Sequence, residues 1–117
     1  MQLTSALIFA NPCDEEEDNL ATLGSNSSQG ELFIMSRYPD ESEIDLLLDE
    51  EGDTLRDIKV TLSATRLLIE TAPGATDLFG GDDVLEIALD GAMGDLDEVE
   101  QALKVILQGT GTFVSER

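Results

Sequence analysis

Apolar positions along this chain fall mostly into short runs with a period of two, and only near the C-terminus does the spacing change to three and four. Residues 3–10 predict a first strand, which Asn11-Pro12 should stop, because proline donates nothing to a ladder and restrains its predecessor. Residues 13–30 (CDEEEDNLATLGSNSSQG) turn acidic and then small and polar, the composition of a long loop with mobile sections. Residues 31–38 (ELFIMSRY) predict a buried strand ended by Pro39-Asp40. In residues 44–49, Ile44, Leu46 and Leu48 alternate with Asp45, Leu47 and Asp49, a half-buried strand in which only Leu47 breaks the pattern. The acids past its end, Glu50, Glu51 and Asp53, are expected in a turn around Gly52.

Residues 57–62 and 66–71 predict a hairpin turning through Ser63-Ala64-Thr65. Pro73-Gly74 breaks the pattern, residues 75–79 suit a single helical turn closed by Gly80-Gly81, and residues 84–90 predict another strand. Leu96, Val99, Ala102, Leu103, Ile106 and Leu107 then form one stripe of a helix over residues 96–108. Asp95 should cap it, with Glu98 reaching back and Gly109 ending it in the left-handed region. Several strands followed by one amphipathic helix define an α+β class: a twisted antiparallel β-sheet with the C-terminal helix packed on one face. One domain is expected over residues 1–117, with 11–30 an acidic and polar loop and 110–117 a short tail whose pattern fits either an edge strand or a loose end.

Charge changes the picture more than hydropathy does. Twenty-six acids against six bases give a formal net charge of -20. Such a surface repels phosphate backbones and anionic lipid, whose affinity comes mainly from Lys and Arg, so neither nucleic acid nor membrane is an expected partner. Absence of histidine removes the usual general base and the commonest metal ligand. The single cysteine, Cys13, stands beside four acids that oppose its thiolate, and it excludes an intramolecular disulfide; the cytoplasm is the expected compartment. Gly80-Gly81 runs into Asp82-Asp83, which would repel a phosphate, and neither acidic run has the EF-hand ligand pattern. No catalytic, cofactor-binding or metal-ligating residues are therefore assigned, and the expectation is a protein that is not an enzyme.

A basic partner is the natural counterpart of this surface. The candidate contact residues are the acids of SRYPDESEIDLLLDEEGD: Asp40, Glu41, Glu43, Asp45, Asp49, Glu50, Glu51 and Asp53, with Leu47 as the apolar contact among them. A second candidate group is Asp14, Glu15, Glu16, Glu17 and Asp18. An unpaired edge strand would also offer a route to a homo-oligomer.

The order of elements resembles a known family. ELFIMSRYPDESEIDLLLDEEGD, then DIKVTLSATRLLIETAPG, DVLEIALD and DLDEVEQALKVILQG are similar to the immunity-protein-10 family of bacterial polymorphic toxin systems. The family's acidic "DEqDiel" core is matched by Asp40-Glu41-Ser42-Glu43-Ile44-Asp45-Leu46. The resemblance implies a cytoplasmic protein that binds and neutralises a cognate toxin, with no catalytic residues and no cofactor. A different reading takes the acidity as a fit to a high-salt habitat and the chain as a non-catalytic structural or subunit domain.

Overall fold

The computed structural model describes all residues 1–117. Nine strands form a mixed sheet: β1 Gln2–Asp14, β2 Leu20–Ser27, β3 Leu32–Arg37, β4 Ile44–Leu48, β5 Glu51–Leu55, β6 Ile58–Leu62, β7 Arg66–Glu70, β8 Val84–Ala88 and β9 Gly111–Ser115. One helix, α1 Leu96–Leu107, precedes β9. Strand order is β5-β4-β3-β2-β1-β8-β7-β6-β9, so β5 and β9 are the edges. The long β1 joins two halves: Gln2, Leu3 and Thr4 pair with β8, and the stretch from Ser5 to Asp14 pairs with β2. The α+β class stands, but the sheet is not purely antiparallel, because β1–β8 and β6–β9 are parallel. Those are the two places where sequence-distant strands meet without a hairpin, and only hairpins force antiparallel neighbours.

The segment 11–30 departs most from the reading of its sequence. Instead of stopping at Asn11-Pro12, β1 runs to Asp14. Pro12 falls in the register shift between Asn11 and Asp14, where no ladder bond is asked of it. A short 3₁₀ turn, Glu15–Glu17, follows; the Asp14 side chain caps it by accepting from Glu16 N at 3.1 Å. Asp18 and Asn19 then reverse the chain at φ 56° and 64°, a region that Asp and Asn tolerate better than most residues. In place of a loop, LATLGSNS forms β2, flanked on both sides by antiparallel partners. Its small polar side chains suit that slot: Ser25 is 3% exposed, and its hydroxyl donates to that of Ser5 at 2.9 Å.

Two more elements differ from expectation. Glu51 and Asp53 lie in edge strand β5, paired residue for residue with β4, rather than in a turn. The reversal needs only Asp49-Glu50, with Asp49 at φ 55°. Residues 75–79 form no helical turn, although Leu78 and Phe79 are buried beside Gly80 and Gly81, both at positive φ. The tail becomes β9, hydrogen-bonded in parallel to β6.

The other predicted strands and the helix match closely. Strands β3, β4, β6, β7 and β8 lie within a residue or two of their predicted bounds, and β6–β7 is a hairpin whose turn is closed by Ser63 N donating to Arg66 O at 2.9 Å. Asp95 caps α1 alone, accepting from Asp97 N and Glu98 N. Val99, Leu103, Ile106 and Leu107 of that helix join Ile8, Leu23, Phe33, Ile44, Val60 and Ile87 in a single core cluster of 24 buried residues. At the far end of α1, Arg37 donates to Val105 O at 2.9 Å and to Glu41 O at 3.1 Å, tying β3, the β3–β4 connection and the helix C-terminus together.

Candidate partner-binding face

Side chains of antiparallel partners share a face, so the register of the β1–β5 half sorts its residues into two sides. On the core side, Ile8, Ser25, Phe33, Leu48 and Glu51 form one row, and Ala10, Leu23, Met35, Leu46 and Asp53 the next. Both rows end in an acid on the edge strand. On the far side, Phe9, Gly24, Ile34, Leu47 and Gly52 form an apolar row across all five strands. Leu7, Asn26 and Leu32 lie on one flank of it, and Asn11, Thr22, Ser36, Asp45 and Thr54 on the other.

None of these far-side residues belongs to the core cluster. Leu7 and Phe9 are 41% and 40% exposed, Ile34, Leu32 and Leu47 are half-buried, and Met93, which bridges to Leu7, is 73% exposed. Contiguous apolar side chains partly open to solvent are the kind of surface that marks an interaction site.

No Lys or Arg lies on that far side. The other half of the sheet differs, carrying the cross-strand ion pairs Lys59–Glu70 and Arg66–Glu86, each at 3.9 Å. The remaining bases are engaged as well: Arg56 with Glu43, Lys104 with Glu100, Arg117 with Asp97, and Arg37 with backbone carbonyls. The amino terminus holds Asp82, so six of the twenty-six acids are paired and twenty are not. The imbalance is uneven along the chain. Through Leu55 there are fourteen acids and one base, Arg37; beyond it, twelve acids and five bases.

The acids lie beyond the two ends of the strands, flanking the stripe on both sides. β1 and β3 point the same way, so the Asp14 to Asp18 run and the β3–β4 connection come to one end, where Asp18, Asn19, Tyr38, Pro39 and Asp40 line an open cavity of about 510 Å³. The two acidic groups singled out in the sequence meet there. At the opposite end, Asp49, Glu50 and Glu51 rim a cavity of about 680 Å³ floored by Met1, Leu32, Leu48 and Leu78.

Several of the sequence-selected acids hold the fold together. Asp49 accepts from Leu32 N through its carboxylate at 3.1 Å and donates its own N–H to Leu32 O at 2.8 Å, extending the β3–β4 pairing. Glu41 accepts from Tyr38 N, Glu43 is ion-paired, and Asp14 caps the 3₁₀ turn. Asp45 faces the far side and accepts from Thr54 Oγ1 at 3.1 Å. Asp40, Glu50, Glu51, Glu15, Glu16, Glu17 and Asp18 are exposed. Leu47, out of pattern on its own strand, is the last apolar side chain of the stripe, next to Gly52 on the edge strand.

An ordinary strand over residues 3–10 gives no role to Leu7 and Phe9 on a second face, and a buried strand over residues 31–38 places Ile34 in the core, whereas the structure puts all three on the far side. The signal was present in ALIFA, an unbroken apolar run of the kind that fills both faces of a strand rather than one.

No group of three or more Cys, Asp or Glu side chains converges so as to hold a metal ion, and no helix is long and apolar enough to cross a membrane. Compared with protein-family models, with curated proteins and with solved structures, the chain matches none of them.

Proposed function

We propose that this protein is a non-catalytic binding protein that docks a basic protein partner on the far side of the β1–β5 half-sheet, in the manner of an immunity protein neutralising a cognate toxin in the cytoplasm. The observation that carries the reading is the juxtaposition itself: an apolar stripe, Phe9 to Leu47, without a single base on its face and with unpaired acids beyond the strand ends on both of its flanks. The reading takes the sheet as twisted and α1 as lying across its core side, which leaves the far side free.

The stripe supplies desolvated contact, and the acids supply steering and register. Long-range attraction of this sort raises association rates toward about 10⁸ to 10⁹ per molar per second at low salt. A toxin whose active site attracts phosphate would present the complementary positive surface. The habitat reading draws on acids away from this face: Asp77, Asp82, Asp90, Asp95 and Asp97 are also exposed.

The test is co-purification at low salt with the protein encoded beside this one, followed by assay of that protein's activity with and without the chain. The proposal expects a basic protein, inhibited at equimolar ratio, with binding lost in Leu47→Glu and in Phe9→Glu. A neighbour that binds equally well to both variants, or does not bind at all, overturns it.

A further inference from the structure

The free edge of β5 carries a combination that the fold alone does not require. We infer that β5 accepts an extended cationic segment of the partner as an additional strand, with Lys or Arg at alternate positions facing Glu51 and Asp53.

The edge is open, since β5 ends the strand order with β4 as its only neighbour. An edge strand presents unpaired backbone groups that pair readily with another extended chain. At Thr54 the N–H donates to the adjacent Asp53 carboxylate, at 2.8 Å.

Glu51 and Asp53 decide which chain can pair. They stand at the ends of the rows that bury Leu48 and Leu46, two positions apart on one side of the strand, and neither has an ion-pair partner. The nearest bases in sequence are occupied, Arg56 by Glu43 and Ser42, Arg37 by two carbonyls. A second copy of β5 would set these acids against each other, and like charges directly opposite are destabilising. A strand with bases at i and i+2 would set opposite charges against both.

Gly52, between them, is the independent observation. Its φ is not positive, and a Cβ there would meet nothing closer than Leu46 O at 3.4 Å and Leu47 Cδ1 at 3.9 Å. Neither conformation nor space demands glycine, yet glycine inside a strand weakens it. Such a residue in a strand commonly marks where another backbone or ligand approaches closely. The approach here is to the face that continues the Phe9–Leu47 stripe.

This inference rests on the proposed reading that the partner is basic, and its test uses a probe independent of that partner. The probe is a short synthetic peptide alternating Lys with Val, titrated into the full chain with amide NMR shifts followed. Expected are shifts and slowed amide exchange confined to β5 and the adjoining β4, with affinity reduced about tenfold or more by Glu51→Lys with Asp53→Lys. Gly52→Val should weaken binding as well while raising the unfolding midpoint. The same peptide with a central proline should lose the β5 protection. Equal binding by the proline peptide, shifts scattered over all acidic surfaces, or a Gly52→Val protein that binds as before would each overturn the inference, leaving only diffuse attraction to a -20 surface. Phe9→Glu and Leu47→Glu should leave peptide binding intact while abolishing capture of the whole partner, so failure of one proposal is separable from failure of the other.

Discussion

The ring of Phe9 lies over Gly24, its partner across the β1–β2 ladder, so closely that a Cβ at position 24 would overlap Cζ, Cε1 and Cε2 of that ring. Gly24 is buried for that reason, although it faces away from the core. The ring takes the place of the side chain that glycine lacks, and it forms one end of the apolar stripe.

The pair should therefore respond non-additively. Gly24→Ala should destabilise by about 1 kcal/mol, because the ring must swing away. Phe9→Ala should cost about 1 to 2 kcal/mol through lost burial at a half-exposed site. In the Phe9→Ala background, Gly24→Ala should instead stabilise by about 0.5 to 1 kcal/mol, since the conformation is open to alanine and the space is vacated. Urea unfolding of the four proteins measures the cycle, and additive changes would show that ring and glycine are independent.

Gly94 admits no such relief. Its φ is 151°, and a Cβ would collide with the backbone oxygen and Cγ2 of Ile8. Neighbouring Met93 is bonded to β1 in both directions, Met93 N to Ala6 O at 3.0 Å and Ile8 N to Met93 O at 2.8 Å. Gly94→Ala should therefore cost about 3 kcal/mol, from strain and from a clash with backbone that cannot rotate away. Thermal unfolding should show a drop of many degrees, and a change within error would mean that the 91–95 segment is not held as described.

These cases show what the sequence could disclose. Helix α1 was readable to within a residue because Leu96, Val99, Leu103 and Ile106 keep one period and Asp95 carries its own cap chemistry. Strands β3, β4, β6, β7 and β8 were readable because each carries its own apolar run or alternation between turn residues. β2 was not, since LATLGSNS has little strand preference and is made a strand by β1 and β3 on either side. β5 was not, because two of its three core-side positions, Glu51 and Asp53, hold acids and only Leu55 is apolar. For the site, Asp45 and Leu47 were found from their own strand, whereas Phe9 and Ile34 become neighbours of Leu47 only through a five-strand register that no local pattern encodes.

Glu100 should keep its charge to lower pH than an ordinary glutamate. The Ser115 hydroxyl donates to it at 2.7 Å and holds its pKa below the ordinary value; desolvation opposes this, and the charges of Lys104 and Arg117 assist. A carboxyl with a lowered folded-state pKa contributes stability above its unfolded pKa and loses that contribution as pH falls through the folded value. Ser115→Ala should move the Glu100 titration back up toward that of an ordinary glutamate, followed by carboxyl NMR shifts. An unchanged midpoint would remove Ser115 as the cause.

Stability and partner binding should respond to salt in opposite directions. With twenty acids unpaired, folding concentrates like charge that the unfolded chain spreads out, so raising salt from about 10 mM to 100 mM, which shortens the screening length from about 30 Å to 10 Å, should raise the urea midpoint. The surface ion pairs weaken over the same range, but each contributes at most about 1 kcal/mol. Association with a basic partner should slow as the same screening shortens the reach of the acids bracketing the stripe, with dissociation changing less. Stopped-flow mixing at several salt concentrations separates the two rates. A partner whose association rate ignores salt would leave the apolar stripe as the whole of the interface and assign the acids to the habitat. A slope in the association rate that disappears in a variant with Asp40, Glu50 and Glu51 neutralised would assign them to the encounter.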